Sequence, residues 1–95
     1  MQKMIEKELQ LTEALQLEQK ARQLEYSCWH RSRMLREIHA GIPHSCTSAY
    51  CLQQAQASAA ELRALASTHS SPLFSRLSAS ADASVDVCRA IVEQA

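Results

Sequence analysis

Glycine, proline and aromatic residues are scarce in this sequence, which has one glycine, two prolines and 4% aromatics in 95 residues. With one glycine there is no glycine-rich loop to hold a phosphate group, and neither a nucleophile elbow nor a helical H-E-x-x-H motif occurs. Few glycines and prolines also leave few places where a helix must end. These absences favour long helices, and we expect a protein without enzymatic activity.

The chain also lacks net charge, because ten Lys and Arg residues balance ten Asp and Glu residues. A balanced chain has no strong field of the kind that attracts nucleic acid or an anionic membrane surface. No apolar run approaches the ~20 residues needed to cross a bilayer. The first residues are charged and without an apolar block, so we expect no signal peptide. We therefore expect a cytoplasmic or nuclear location, where the four cysteines stay reduced.

One long amphipathic helix is predicted over about residues 3–40. This segment contains neither glycine nor proline and is rich in Glu, Gln, Leu, Lys and Arg, which favour helices. Apolar residues recur at steps of three and four, with Arg31 in the one gap. They are Ala14, Leu17, Ala21, Leu24, Cys28, Leu35 and Ile38. Such a helix is ~57 Å long, and Gly41 followed by Pro43 ends it.

Two shorter helices are predicted after this stop. Ser45, Thr47 or Ser48 can cap a second helix over about 46–68, and Ser71 with Pro72 can begin a third over about 72–94. The whole chain then forms a single helical domain, 1–95. Its segments are a long helix at 1–40, a turn at 41–47, a second helix at 48–69, a turn at 70–72 and a third helix at 73–95. Apolar residues are sparse near 80–84, and the third helix can break there.

The predicted fold is all-α, a helical hairpin or three-helix bundle with coiled-coil-like packing. Short turns make neighbouring helices antiparallel. A second helix folded back at Pro43 covers only the C-terminal part of the first. The apolar residues between Met4 and Leu15 then lack a cover within the chain, which indicates a partner helix or an oligomer.

We therefore expect a non-catalytic protein-interaction module without a cofactor: a subunit, small chaperone or adaptor of a hetero-oligomeric complex. A self-associating homodimeric bundle is the alternative. The expected contact residues are divided between the internal hairpin and the partner. They are Met4, Leu11, Leu15, Leu17, Leu24, Leu35 and Ile38. In architecture alone the chain resembles small helical co-chaperones of bacterial export systems and, equally, subunits of eukaryotic tethering or kinetochore-type complexes, so no functional residue is carried over.

A zinc-stabilised helical domain is a weaker alternative, because ligand-type residues cluster around "HAGIPHSCTSAYC" (39–51). The candidate ligands are Cys28, His44, Cys46 and Cys51. Zinc needs four convergent ligands, and no C-x-x-C spacing occurs here. An antiparallel hairpin offsets Cys28 from Cys51 by roughly 10 Å, too far for a disulfide. The simpler interpretation is a turn flanked by buried cysteines.

The segment "WHRSRMLREIH" (29–39) raises the possibility of nucleic-acid binding through arginines and an aromatic ring. The zero net charge argues against this function, and we expect no nucleic-acid or membrane partner. The competing interpretation is a solvated basic face, with Trp29 packed at a helix contact.

Overall fold

A computed structural model of the chain describes the backbone of residues 2–94 and the side chains of residues 10–94. It contains three helices: α1 at Gln2–His39, α2 at Ser48–Thr68 and α3 at Pro72–Glu93. The predicted all-α fold is confirmed, with helix bounds close to those expected from the sequence. Through 80–84 α3 is unbroken, because Ala81 and Val85 are buried and anchor this stretch to the core.

Gly41 ends α1 in the left-handed conformation, with φ +91°. The Gly41 N–H donates to the Ile38 carbonyl at 3.1 Å, and the Ile42 N–H donates to the Glu37 carbonyl at 3.0 Å. This pair of bonds is a Schellman motif, and it satisfies carbonyls that have no partner inside the helix. The expected role of Gly41 as the helix stop is confirmed.

Side-chain caps begin both shorter helices. The Tyr50 N–H donates to Thr47 Oγ1 at 3.1 Å, so Thr47 is the cap among the three candidates. The Phe74 N–H donates to Ser71 Oγ at 3.4 Å, and Pro72 follows at the first helical position. Proline fits there because the first N–H groups of a helix have no intrahelical acceptor.

The core between the helices is built largely from small side chains. Each helix packs against the other two. Of the twelve buried apolar residues in the described part of the chain, seven are alanine or cysteine. These small residues are Ala21, Cys28, Cys51, Ala55, Ala59, Ala81 and Cys88. Small side chains let the helix backbones approach closely, but they bury little apolar area per residue.

The hairpin register and the overall shape follow from unequal helix lengths. Ser58 Oγ lies 3.3 Å from Ser27 Oγ, and Lys20 Nζ lies 2.9 Å from Glu61 Oε1, which places α2 antiparallel to the C-terminal part of α1. The molecule measures 60 × 23 × 14 Å, with a radius of gyration of 16.5 Å. A compact domain of this length has a radius of gyration of roughly 12 Å. The fold is therefore a short bundle on a long helix.

Candidate protein-interaction surface

Among the side chains of α1 that the structure describes, four large apolar ones face solvent and form what we call the outer stripe. They are Leu11 (64% exposed), Leu15 (64%), Tyr26 (59%) and Trp29 (47%). At 100° per residue, these positions share a sector of about 60° on the helix, extending ~27 Å along its axis. The core residue Cys28 lies about 100–160° away from these side chains around the helix. Thus α1 has a second apolar face in addition to the buried one.

The C-terminal end of the outer stripe is an aromatic cluster. The ring centroids of Tyr26 and Trp29 are 5.8 Å apart, and Tyr26 stacks on His30 with an interplanar angle of 10°. The Arg33 guanidinium lies 5.9 Å from the centre of the Trp29 ring, within range of a cation–π interaction. Trp29 is therefore contacted by neighbours on its own helix and remains 47% exposed, and its packing against another helix stays a prediction.

The N-terminal end of the outer stripe borders a groove. The groove has a volume of about 340 Å³ and lies between α1 and the beginning of α3. Leu11, Leu15 and Leu17 line one wall, and Leu73 and Phe74 line the other. Apolar walls that remain open to water are typical of a surface that another protein covers.

One ion pair lies within the outer stripe, and a second lies beyond its C-terminal end. Arg22 Nη2 lies 3.2 Å from Glu18 Oε1, and Arg33 Nε lies 3.4 Å from Glu37 Oε1. Both pairs join residues four apart on α1. They are exposed and each contributes only a few tenths of a kcal/mol to helix stability, roughly 0.3–0.5. Their main effect is to place charge of both signs beside the apolar side chains.

Most of the contact residues expected from the sequence lie inside the bundle. Leu35 is fully buried, and Leu17, Leu24 and Ile38 pack against the core while partly exposed. Leu11 and Leu15 remain on the surface. The side chain of Met4 lies outside the described residues. The structure thus divides the set between the internal hairpin and the surface, and it adds Tyr26 and Trp29 to the surface group.

Arg31 occupies the gap in the apolar stripe of α1, and its side chain reaches the beginning of α2. The guanidinium lies 5.6 Å from the centre of the Tyr50 ring, and Nη1 is 3.9 Å from the sulfur atoms of Met34 and Cys46. A long side chain can cover apolar neighbours while its charge stays near water. Arg31 is therefore part of the α1–α2 contact, and the basic residues of 29–39 do not form one continuous patch.

The candidate metal ligands are dispersed. Cys28 and Cys51 are buried and Cys46 is half-buried, whereas His44 Nε2 lies 3.0 Å from Glu37 Oε2 at the surface. Within the described side chains, no group of three or more His, Cys, Asp or Glu residues is placed to hold a metal ion.

The buried cysteines behave as apolar core residues. Cys28 Sγ donates to the Ala55 carbonyl at 3.4 Å. Burial first, and the neighbouring Cys88 second, raise the pKa of Cys28 from 9.0 to about 11. Burial, followed by Cys51, also raises the pKa of Cys88. Zinc binds the thiolate form, and these environments favour the neutral thiol.

Comparisons with protein-family models, with curated proteins and with solved structures found no match to this chain. In the part of the chain that the structure describes, no helix combines the length and apolar character needed to cross a bilayer.

Proposed function

We propose that this chain is a non-catalytic helical interaction module, acting as a subunit or adaptor of a protein complex, and that the outer stripe of α1 is its binding surface. The partner is a protein that contributes a helix to this surface. An amphipathic helix recognises a groove or another helix through apolar residues spaced three or four apart, and the outer stripe has this spacing.

The observation that carries the proposal is the alignment of the exposed apolar side chains. Single exposed leucines or aromatics are ordinary on protein surfaces. Here two leucines and two aromatic residues share one sector of the same helix, away from the core. Aromatic residues and arginine are enriched at the energetically important positions of interfaces, and Trp29 with Arg33 forms such a pair.

The composition of the core supports the same proposal. Alanine and cysteine bury little area, so the three helices gain modest hydrophobic stabilisation from one another. A partner laid along α1 adds buried apolar area and stabilises the folded state by mass action. We also propose a cytoplasmic or nuclear location, because all four thiols are free and such thiols suit a reducing compartment.

The experiment is affinity capture from the native cell followed by mass spectrometry, with wild-type protein and a Leu11→Asp, Leu15→Asp variant. We expect the variant to lose the partner, because each substitution places a carboxylate at an apolar contact that would be desolvated. Both positions are exposed, so far-UV circular dichroism is expected to show nearly unchanged helix content.

The matched control is Gln10→Asp, Gln16→Asp, which adds the same two carboxylates to exposed positions of α1 outside the outer stripe. We expect this variant to retain the partner. Retention of the partner by the Leu11→Asp, Leu15→Asp variant would contradict the proposal.

A further inference from the structure

We infer that the outer stripe of α1 binds a second copy of this chain in antiparallel orientation, forming a symmetric dimer. This inference rests on the proposed function, since it assigns the occupant of the same surface. It is carried by the order of side chains along the stripe and by the charges between them.

The outer stripe complements itself when one copy is reversed. Leucines occupy its N-terminal end and aromatic rings its C-terminal end, with Glu18 and Arg22 between them. A two-fold axis near position 20 brings Leu11 opposite Trp29 of the second copy and Leu15 opposite Tyr26. Each contact then occurs twice, as two-fold symmetry requires.

Charge selects this arrangement over its competitors. In the antiparallel register centred near position 20, Glu18 of each copy faces Arg22 of the other. A parallel dimer places Arg22 opposite Arg22 and Arg33 opposite Arg33. An antiparallel dimer shifted by one helical turn also places Arg22 opposite its copy. Like charges in contact at an interface are unfavourable and suppress wrong pairings.

The size of the face sets the expected strength of the dimer. A strip ~27 Å long and about 10 Å wide covers roughly 300 Å² per copy. Stable interfaces cover about 800 Å² per partner, and smaller ones are weak or transient. α2 and α3 pack on the core side of α1. The beginning of α3 borders the outer stripe at Leu11 and Leu15, and all four side chains of the stripe remain exposed to a second copy. The expected dimer is therefore weak and dependent on concentration.

The test is sedimentation equilibrium of the purified chain over a wide range of concentration. We expect a reversible monomer–dimer equilibrium for the wild type. Glu18→Arg converts two symmetric attractions into repulsions and is expected to weaken the dimer about tenfold. The double variant Glu18→Arg, Arg22→Glu restores opposite charges across the interface and is expected to recover wild-type dimerisation.

Glu13→Arg is the matched control, an exposed charge reversal on α1 outside the outer stripe, and we expect it to dimerise like the wild type. A wild type that is monomeric at every concentration overturns the inference, and so does a double variant as weak as the single one. Either result removes the dimer but leaves the proposed function intact, provided that Leu11→Asp, Leu15→Asp still abolishes capture of a different protein. If this variant also still captures the different protein, the dimer and the proposed function are both contradicted.

Discussion

At the scale of single residues, the same residue types have different roles according to their side of α1. Leu35 is buried and Leu15 is exposed, although both are leucines of one helix. Cys28 is fully enclosed, and its thiol donates to a carbonyl of α2. The degree of burial, more than the residue type, therefore determines what these side chains contribute to stability. For a buried thiol this contribution also depends on pH.

We expect stability to fall as the pH rises from 9 towards 11. The pKa of Cys28 is raised from 9.0 to about 11 in the folded protein. In the unfolded chain the thiol ionises near its ordinary pKa, so over this range the unfolded state binds fewer protons than the folded state. The neutral Cys28 thiol contributes its full stabilisation below pH 9. About 2–3 kcal/mol of the free energy of unfolding is lost as the pH rises through the pKa of the folded state.

Urea unfolding at a series of pH values, followed by far-UV circular dichroism, measures this loss. In Cys28→Ala the decline is expected to be shallower, and Cys88, whose pKa is also raised, contributes to what remains. Titration of the other groups is shared by the two proteins. Parallel pH profiles for wild type and variant, differing only by a constant, would show that the Cys28 thiol does not control the decline.

At the scale of elements, the helix ends are determined by local chemistry. Ser71 accepts a hydrogen bond from the Phe74 N–H, and this bond replaces one that the first turn of α3 lacks. Ser71→Ala is expected to destabilise the protein by about 1 kcal/mol. Ser70→Ala is the matched control, because Ser70 is exposed and precedes the cap, and it is expected to change stability by less than about 0.5 kcal/mol. Urea unfolding midpoints compare the two.

These local signals explain why the helices could be predicted from the sequence. Gly41, Pro43, Ser71 and Pro72 each act within a few residues of their own position. The choice of Thr47 over Ser45 and Ser48 could not be predicted, because it depends on how the turn returns the chain to α1. The sequence also does not predict that α3 is continuous, because Ala81 is only weakly apolar and its burial depends on its packing partners.

At the scale of the whole molecule, the binding surface was harder to predict than the fold. The sequence shows apolar residues on more than one side of α1, and only the docking of α2 and α3 decides which side is buried. The sequence predicts Leu11 and Leu15 at the surface, because the predicted second helix is too short to cover them. The sequence does not predict Tyr26 and Trp29 at the same surface. They share a side of α1 with these leucines, and that side can be identified as exposed only when the buried side is known.

The small-residue core also has a consequence for the whole bundle, because it holds the helices at close range. Ala59 is 2% exposed, and Ala59→Leu is expected to force the helices apart and destabilise the fold by about 1–3 kcal/mol. Ala60 is the next residue and is exposed, so Ala60→Leu is expected to change stability by less than about 0.5 kcal/mol. Thermal and urea unfolding of both variants measure the difference. Equal stabilities would show that the core has room for a larger side chain.

Trp29 is the only tryptophan of the chain, and its position on the outer stripe makes it an optical probe of that surface. Trp29 is 47% exposed while the protein is folded, so part of it is still open to water before a partner binds. Covering the stripe removes water from the ring and shifts its emission to shorter wavelength. A shift of the intrinsic fluorescence to shorter wavelength on binding therefore reports that the outer stripe of α1 is covered.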